Sequence, residues 1–256
     1  MPSSVSICMA TWNGAKFLAE QLETVVPHLD FGDEVVVVDD ASSDQTMEML
    51  QRAAGESRAA AIRIQQNPQN LGPVRTFERA LEMARGEIVM LCDQDDRWMP
   101  GKIARIRKIF DEDADVTLVM SDAELIDDAG DVIVPSRALV KPFREGLVPN
   151  MLVNRYLGCA MAFRRASLGY CLPFPEGIPM HDQWIGVLHN IFGKVVYLKE
   201  PLIQYRRHVG NATADTHASW ITMIRWRLNL TGNLVGRWWK SRGAASAHRP
   251  NGRQSQ

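Results

Sequence analysis

The sequence predicts an α/β protein, with a mainly parallel sheet and helices on both faces. Short apolar runs alternate with segments whose apolar residues recur at helical spacing, from residue 5 to about residue 120. Two of the runs, residues 35–38 (VVVV) and 88–91 (IVML), are apolar throughout, as strands covered on both faces are. Strand, helix, strand, repeated in this way, implies right-handed crossovers and a parallel sheet.

The elements follow in order. Residues 5–9 form an apolar strand that ends in the turn signal Thr11-Trp12-Asn13-Gly14, and Phe17, Leu18, Gln21, Leu22, Val25 and Val26 then mark a buried helix face. Residues 35–38 stop at Asp39-Asp40-Ala41-Ser42-Ser43-Asp44, followed by helical Met47, Leu50, Ala53 and Ala54. Residues 61–64 are a weaker strand. Gly72 opens a helix bearing Val74, Phe77, Leu81 and Ala84, which Gly86 closes. Residues 88–91 run into Cys92-Asp93-Gln94-Asp95-Asp96, Pro100 begins a helix with Ile103, Ile106 and Phe110, and residues 116–120 are a strand. The smaller second half is less regular: a hairpin turn at 127–131, a strand at 157–163, a helix at 183–192 after His181-Asp182, and short strands at 195–198 and 202–205.

Composition narrows the class. The chain has 256 residues, 46% apolar and 23% charged, enough for a sizeable core and unlike a disordered or collagenous sequence. The net charge of −1 hides an asymmetry: all 30 acidic residues lie at or before Asp215, while seven basic residues and no acid follow it. Residues 1–215 therefore carry −8 and the tail +7, which divides the chain into a working domain (1–215) and a basic Trp/Arg-rich tail (216–256) whose polar end is expected to be disordered. No long apolar run and no basic-then-apolar leader is present, so the expected location is cytoplasmic. Cys8, Cys92, Cys159 and Cys171 are far apart and fit reduced, packed thiols better than a zinc site.

In parallel sheets ligands bind beyond the carboxyl ends of the strands, and three such ends here carry polar clusters: 11–13, 39–40 and 93–96. Asp93 and Asp95, one residue apart after a buried strand, suit a shared hard divalent cation, Mg²⁺ or Mn²⁺, and through it a diphosphate. Asp39-Asp40 suits a base or ribose, and Asp40 to Asp44 equally suit capping of the next helix. Trp12 offers an aromatic face for a base, or a core side chain. Neither G-x-G-x-x-G after the first strand nor a P-loop is present, which disfavours a dinucleotide oxidoreductase and a P-loop NTPase.

The segments ICMATWNGAKFLAEQLETV, VVVVDDASSDQT, NLGPVRTFERALEMARGEIVMLCDQDDRW, GCAMAFRR, HDQW and YRRH, in this order, resemble the family 2 glycosyltransferases of GT-A fold over roughly residues 4–211, and DQDD-x-W resembles their rhamnosyltransferase-like branch. The resemblance implies a GT-A sheet with a smaller acceptor-side second half. It also implies an inverting, metal-dependent transfer from a nucleotide-diphosphate sugar to a glycan or lipid-linked glycan, as in cell-surface polysaccharide or O-antigen assembly. Thr11, Trp12, Asn13 and Asp40 match positions around the nucleotide, with Asp39 beside them, and Gly72 and Arg75 match the segment closing over it. Asp93 and Asp95 match the DxD pair, Asp93 nearer the ribose and Asp95 on the metal, and His208 of YRRH matches a histidine completing the metal shell. Asp182 matches the general base, in a pattern that is often Glu-Asp and here is His181-Asp182. Gly158 and Cys159 match the floor of the acceptor site.

Read as residues alone, Asp182 also fits a helix cap, His208 a surface or core histidine, and Cys159 a packed side chain. The competing functions are a nucleotidyltransferase of similar fold, whose Gly-rich basic loop is missing, and a catalytically degenerate sugar-binding module, against which every motif acid is intact. An aspartate-nucleophile phosphatase and a receiver domain match fewer of the motifs. The tail mixes Trp and Leu with Arg, the composition of an interfacial helix on anionic lipid, although Gly232 and Gly236 weaken a continuous helix and packing on the domain is the alternative. No nucleic-acid partner is expected.

Overall fold

A computed structural model describes residues 2–57, 60–207 and 220–247 of the chain. Four parallel strands form the first half of the sheet: β1 (Val5–Thr11), β2 (Glu34–Asp39), β3 (Ala61–Gln66) and β4 (Ile88–Cys92). Helices α1 (Leu18–Val25), α2 (Thr46–Glu56) and α3 (Pro73–Met83) make the crossovers. All six residues of β2 and all five of β4 are buried, as their unbroken apolar character requires.

The second half continues the sheet with mixed polarity. After the short β5 (Arg97–Trp98) come α4 (Lys102–Glu112), β6 (Val116–Ile126), β7 (Val132–Val134), α5 (Leu147–Leu152), β8 (Met161–Arg164), α6 (Leu168–Cys171), α7 (His181–Phe192), β9 (Lys194–Arg206) and α8 (Trp220–Ala247). The order across the nine-stranded sheet is β3-β2-β1-β4-β8-β6-β9-β5, with β7 on β6. β8 runs antiparallel to both β4 and β6, whereas β9 lies parallel to β6, so the sheet is mostly parallel with reversals in its second half.

Several elements differ from the periodicity reading. The expected strand at 157–163 begins only at Met161, because residues 158–160 turn once in 3₁₀ form and lay Gly158 against the His181 ring. The two short strands at 195–198 and 202–205 are one strand, β9, whose register against β6 shifts around Pro201, a residue with no N–H to give the ladder. β6 runs to Ile126, well beyond the expected residue 120, and α7 starts at His181, taking His181 and Asp182 into its first turn. α8 is continuous through Gly232 and Gly236; tertiary packing of Leu230 and Leu234 into the core outweighs the glycines' weak propensity. Arg227 Nη2 donates to Leu152 O at 2.6 Å and Arg237 to Leu172 O and Pro173 O, so the tail helix lies against the domain. The polar chain end expected to be disordered falls outside the described residues.

The register positions the chemistry. Thr11 pairs with Asp39, and Met9 with Cys92, so the clusters at 11–14, 39–44 and 93–96 leave the sheet at one edge. Trp98, Trp184 and Phe77 are core residues, whereas Trp12 is 53% exposed.

α7 is packed tightly enough to be tested. A Cβ on Gly186 would overlap the buried ring of Tyr156. Gly186→Ala is expected to destabilise the fold by about 1–3 kcal/mol through overpacking, read as a fall in the urea midpoint; an unchanged midpoint would show that α7 gives way there.

Candidate active site

The loops after β1 and β2 are laced into one shelf. Asn13 N donates to Ser42 Oγ (2.9 Å), Ser43 N to Asn13 Oδ1 (2.9 Å), Gly14 N to Thr46 Oγ1 (2.8 Å) and Ala15 N to Asp44 Oδ2 (3.1 Å). Burial works to raise the Asp44 pKa, but hydrogen bonds from Thr46 and Ala15 outweigh it, and the net shift is downward. Asn13 and Ala41 both hold positive φ, 46° and 60°, marking backbone strain at this edge.

Asp39 and Asp40 organise the shelf from inside. Asp39 is fully buried and accepts from Thr11 Oγ1 (2.9 Å), Ser42 N (2.9 Å), Ser42 Oγ (2.5 Å) and Gln66 Nε2 (3.0 Å). Its carboxylate is thus consumed by the protein and leaves little to offer a ligand directly. Asp40 accepts from Asn67 Nδ2 (2.7 Å), Leu71 N (2.8 Å) and Gly72 N (2.8 Å), fixing the loop that leads to α3. Gly72, at φ 80°, turns the chain into that helix. Arg75 is tied to Glu78 (2.6 Å) and to Phe174 O (3.1 Å), so any swing over a nucleotide must first break these bonds.

Trp12 is presented to solvent by a clamp. Gln94 Oε1 accepts from Trp12 N (2.8 Å) while Gln94 Nε2 donates to Trp12 O (3.0 Å), joining the β1 and β4 ends. Gly14 lies so close to Gln94 that a Cβ there would overlap it.

The acids group differently from the expected Asp93 and Asp95 pair. The ligand atoms of Asp93, Asp96 and Cys159 all lie within 4.8 Å of one another, and Asp95 is outside that group. The turn after β4 aims the Asp95 carbonyl at Arg206 Nε (2.9 Å) and carries the Asp96 side chain inward, to 1% exposure. Burial, then repulsion from Asp96, Asp95 and Asp182, raises the Asp93 pKa well above the carboxylate range. Burial and Asp95 push Asp96 up to about 7, against the hydrogen bond from Arg206 N. Asp96 Oδ2 is buried with no hydrogen-bond partner. Cys159, beneath the pair, has its pKa raised well above the thiol range by burial and both carboxylates, so it stays protonated. That state suits a hydrogen-bond donor and neither a nucleophile nor a ligand for a hard cation.

Two buried cations steady this cluster. Lys102 Nζ donates to Cys159 O (2.8 Å) and lies 3.8 Å above the Trp98 ring; burial lowers its pKa to about 8 although the acids pull the other way. Arg206 gathers Asp95 O, Asp127 O, Asp128 O and Glu20 Oε2 (2.5 Å) around one guanidinium.

Across the edge, α7 brings Asp182, 7% exposed, toward the acids. Its Oδ1 accepts from Asn154 Nδ2 (2.9 Å) and Gln183 N (2.6 Å), and Oδ2 carries no hydrogen bond among the described residues. It therefore caps its helix and still keeps an oxygen in reserve. His181 stacks on Phe77 (4.2 Å between ring centroids), and both its ring nitrogens are buried without partners. Burial lowers its pKa while Asp182 opposes the shift. A Cβ on Gly158 would sit 3.1 Å from His181 Nε2 and 3.6 Å from Asp182 Cβ, so a side chain there would crowd His181.

The structure thus brings Thr11, Trp12, Asn13, Asp40, Asp93, Gly158, Cys159 and Asp182 to one edge, with Asp39 beneath it and Gly72 and Arg75 on its flank. His208 lies outside the described residues. Sequence reasoning missed Asp96 as the partner of Asp93, and also Gln94, Lys102, Asn154 and Arg206. Asp96 and Gln94 had a signal in the DQDD run and Arg206 in YRRH, whereas Lys102 and Asn154 had none.

An acid whose pKa rises on folding holds its proton more tightly when folded. The stability that this gives at low pH is lost as pH climbs from 3.8, the unfolded value, to about 7 for Asp96. In chelator, Asp96→Asn is expected to gain stability relative to the wild type across that window, read from urea midpoints at a series of pH values; a constant difference would refute it.

Comparison with known proteins gives the family and the fold. The model of the family "Glycosyl transferase family 2" matches residues 6–171. An uncharacterised glycosyltransferase, alr2836 of Nostoc sp., is 27% identical over 214 residues, covering 81% of this chain and 66% of the relative. The putative glycosyltransferase EpsH of Bacillus subtilis is 25% identical over 223 residues, covering 81% and 62%. The chain thus spans just under two-thirds of the length of either relative. Among solved structures, S. aureus TarS 1–349 in complex with UDP-GlcNAc superposes with a TM-score of 0.69 at 21% identity, covering 88% of this chain and 65% of that one. The mannosyltransferase PcManGT of Pyrobaculum calidifontis, in complex with GDP-Man and Mn²⁺, gives 0.58 at 21% identity, covering 94% and 64%. At these identities the structural likeness establishes the fold, and the family match establishes descent: the chain belongs to glycosyl transferase family 2 and has a GT-A-type fold.

Proposed function

We propose that the chain moves a sugar from a nucleoside diphosphate sugar to an acceptor hydroxyl with inversion at the anomeric carbon, and that Asp182 is the general base. The carrying observation is the Asp182 carboxylate, one oxygen held by Asn154 and Gln183 N and the other unpaired, facing the Asp93 and Asp96 cluster. The bound UDP-GlcNAc of TarS and GDP-Man of PcManGT support a nucleotide-sugar donor.

In this reading the exposed Trp12 ring and the rim set by Thr11, Asn13 and Asp40 receive the nucleotide. The unpaired Asp182 oxygen takes the proton as the acceptor oxygen attacks C1, the new C1–O bond forms, and the old C1–O bond breaks with its electron pair leaving on the nucleoside diphosphate. No enzyme-bound sugar is formed, so no second nucleophile is required. His181, held neutral by burial, is suited to exchange hydrogen bonds with a sugar hydroxyl.

A divalent cation fits the donor set, since Asp96 Oδ2 is buried and orphaned and the repulsion among the acids is what a cation would relieve. Asp93 and Asp96 would hold it, with Mg²⁺ or Mn²⁺ favoured by oxygen ligands, and Asp95 and His208 remain proposals as further ligands. When bound, such an ion neutralises charge on the departing diphosphate. The Mn²⁺ in the PcManGT complex supports this assignment. The biological setting proposed is cell-surface polysaccharide or O-antigen assembly, with rhamnose among the donor sugars to be tried, at the face of an anionic membrane. Among the described residues no helix is long and apolar enough to cross one.

Donor hydrolysis across a set of nucleotide sugars with Mg²⁺ and Mn²⁺ tests the reading, and its absence with every donor would favour a non-catalytic sugar-binding module. Asp182→Asn is expected to keep nucleoside diphosphate affinity within about twofold and to lose about 10²–10⁴-fold in transfer; near-normal turnover would remove Asp182 from the role.

A further inference from the structure

We propose that a basic rim beside Asp182, formed by Arg137, Lys141, Arg155 and Arg207, binds the phosphate of a lipid-linked acceptor. The inference deepens the glycosyltransferase reading and rests on it for the word acceptor, whereas the lipid-phosphate site can be tested alone.

The four cations come from three stretches of chain, and backbone contacts tie the first two stretches together. Both Nη atoms of Arg137 donate to Arg155 O at 3.3 Å, Arg155 Nη1 donates to Pro142 O (2.8 Å) and Lys141 N to Arg137 O (2.8 Å). Arg207 follows β9, with its N–H on Ile126 O (2.8 Å). The residue before Arg155 is Asn154, which holds the Asp182 carboxylate, so the rim adjoins the proposed base.

Three of the four have no acidic partner at contact distance. Among the described residues Arg137, Lys141 and Arg155 have no carboxylate within salt-bridge distance, and Arg155 Nε is buried without a partner. Burial and then the charges of Arg137, Arg155 and Arg207 lower the Lys141 pKa, with Asp182 opposing, so the four press on one another. Forked guanidiniums of this kind match the oxygens of a phosphate.

The surroundings of the cations name the rest of the ligand. Leu139 (72% exposed) and Val140 (61%) lie between Arg137 and Lys141, and Leu152 (55%) and Val153 (46%) lie just before Arg155. Arg227 bonds Leu152 O, so α8 with exposed Trp226 and Leu228 adjoins the same rim. Cations next to the base with bare aliphatics beyond them suit a phosphate carrying a hydrocarbon chain; a free phosphate would leave the aliphatics unused. The nucleotide shelf, with its own residues on β1 and β2, is built elsewhere.

The test is titration of the full chain with farnesyl phosphate, farnesol, inorganic phosphate and UDP with Mn²⁺. Farnesyl phosphate is expected to bind at least about tenfold more tightly than farnesol or inorganic phosphate. The double substitution Arg137→Gln/Arg155→Gln should weaken it by about tenfold or more, and Lys141→Glu, at an exposed side chain that the fold does not need, by several-fold, with UDP affinity held within about twofold. Unchanged farnesyl phosphate affinity in Lys141→Glu would overturn the proposal. So would inorganic phosphate binding as tightly as the lipid, which marks a free-phosphate site, or a parallel loss of UDP, which marks a donor subsite. Wild-type binding of farnesyl phosphate without any nucleoside diphosphate binding would support the lipid-phosphate site and sink the glycosyltransferase reading instead.

Discussion

Everything at the carboxyl edge of the sheet depends on holding like charges together. Asp95, Asp96 and Asp182 crowd Asp93, and Asp95 crowds Asp96, so that burial and like charge together raise the cost of ionising Asp93 and Asp96. Two groups limit that cost at Asp96: the charge of buried Lys102, seated on the Trp98 ring, and the backbone N–H of Arg206, whose guanidinium collects the carbonyls of the 127–128 turn. The compensation is incomplete, leaving Asp93 and Asp96 with raised pKa values and one Asp96 oxygen with no partner. A fold that buries acids without neutralising them stores an affinity for positive charge, which is what a site for a cation and a departing diphosphate requires.

The two sides of the edge are built on different principles. At the ends of β1 and β2 nearly every polar atom is spoken for: Asp39, Asp40 and Asp44 are saturated by backbone and side-chain donors, and Gln94 clamps Trp12. Such a shelf is pre-organised, with strained φ values at Asn13 and Ala41 held by the surrounding bonds. Across the edge several polar groups are left without partners among the described residues: one oxygen of Asp182, both nitrogens of His181 and Nε of Arg155.

How much of this was legible in the sequence can be judged from particular residues. The runs VVVV and IVML could only be strands covered on both faces, and their polar ends had to meet at one edge once the sheet was parallel. The strand break at Gly158 and the continuity of β9 through Pro201 were not legible, because both depend on which neighbour the chain packs against. α8 defied its glycines for the same reason.

What the sequence by itself determined is the sheet, its crossovers and the identity of the edge that carries the acids, since apolar periodicity is a local property that survives any packing. Only the tertiary structure decided which acid faces which. Asp93 meets Asp96 rather than Asp95 because the direction of a side chain after a strand end is set by the turn, and the turn is held by Arg206, 110 residues downstream of Asp96. It also decided that Asp39 works from beneath the surface while Trp12 stands clear of it, and that basic residues from three parts of the chain come near one another. These pairings join positions far apart in sequence, and no local pattern records a contact whose two halves meet only when the sheet has closed.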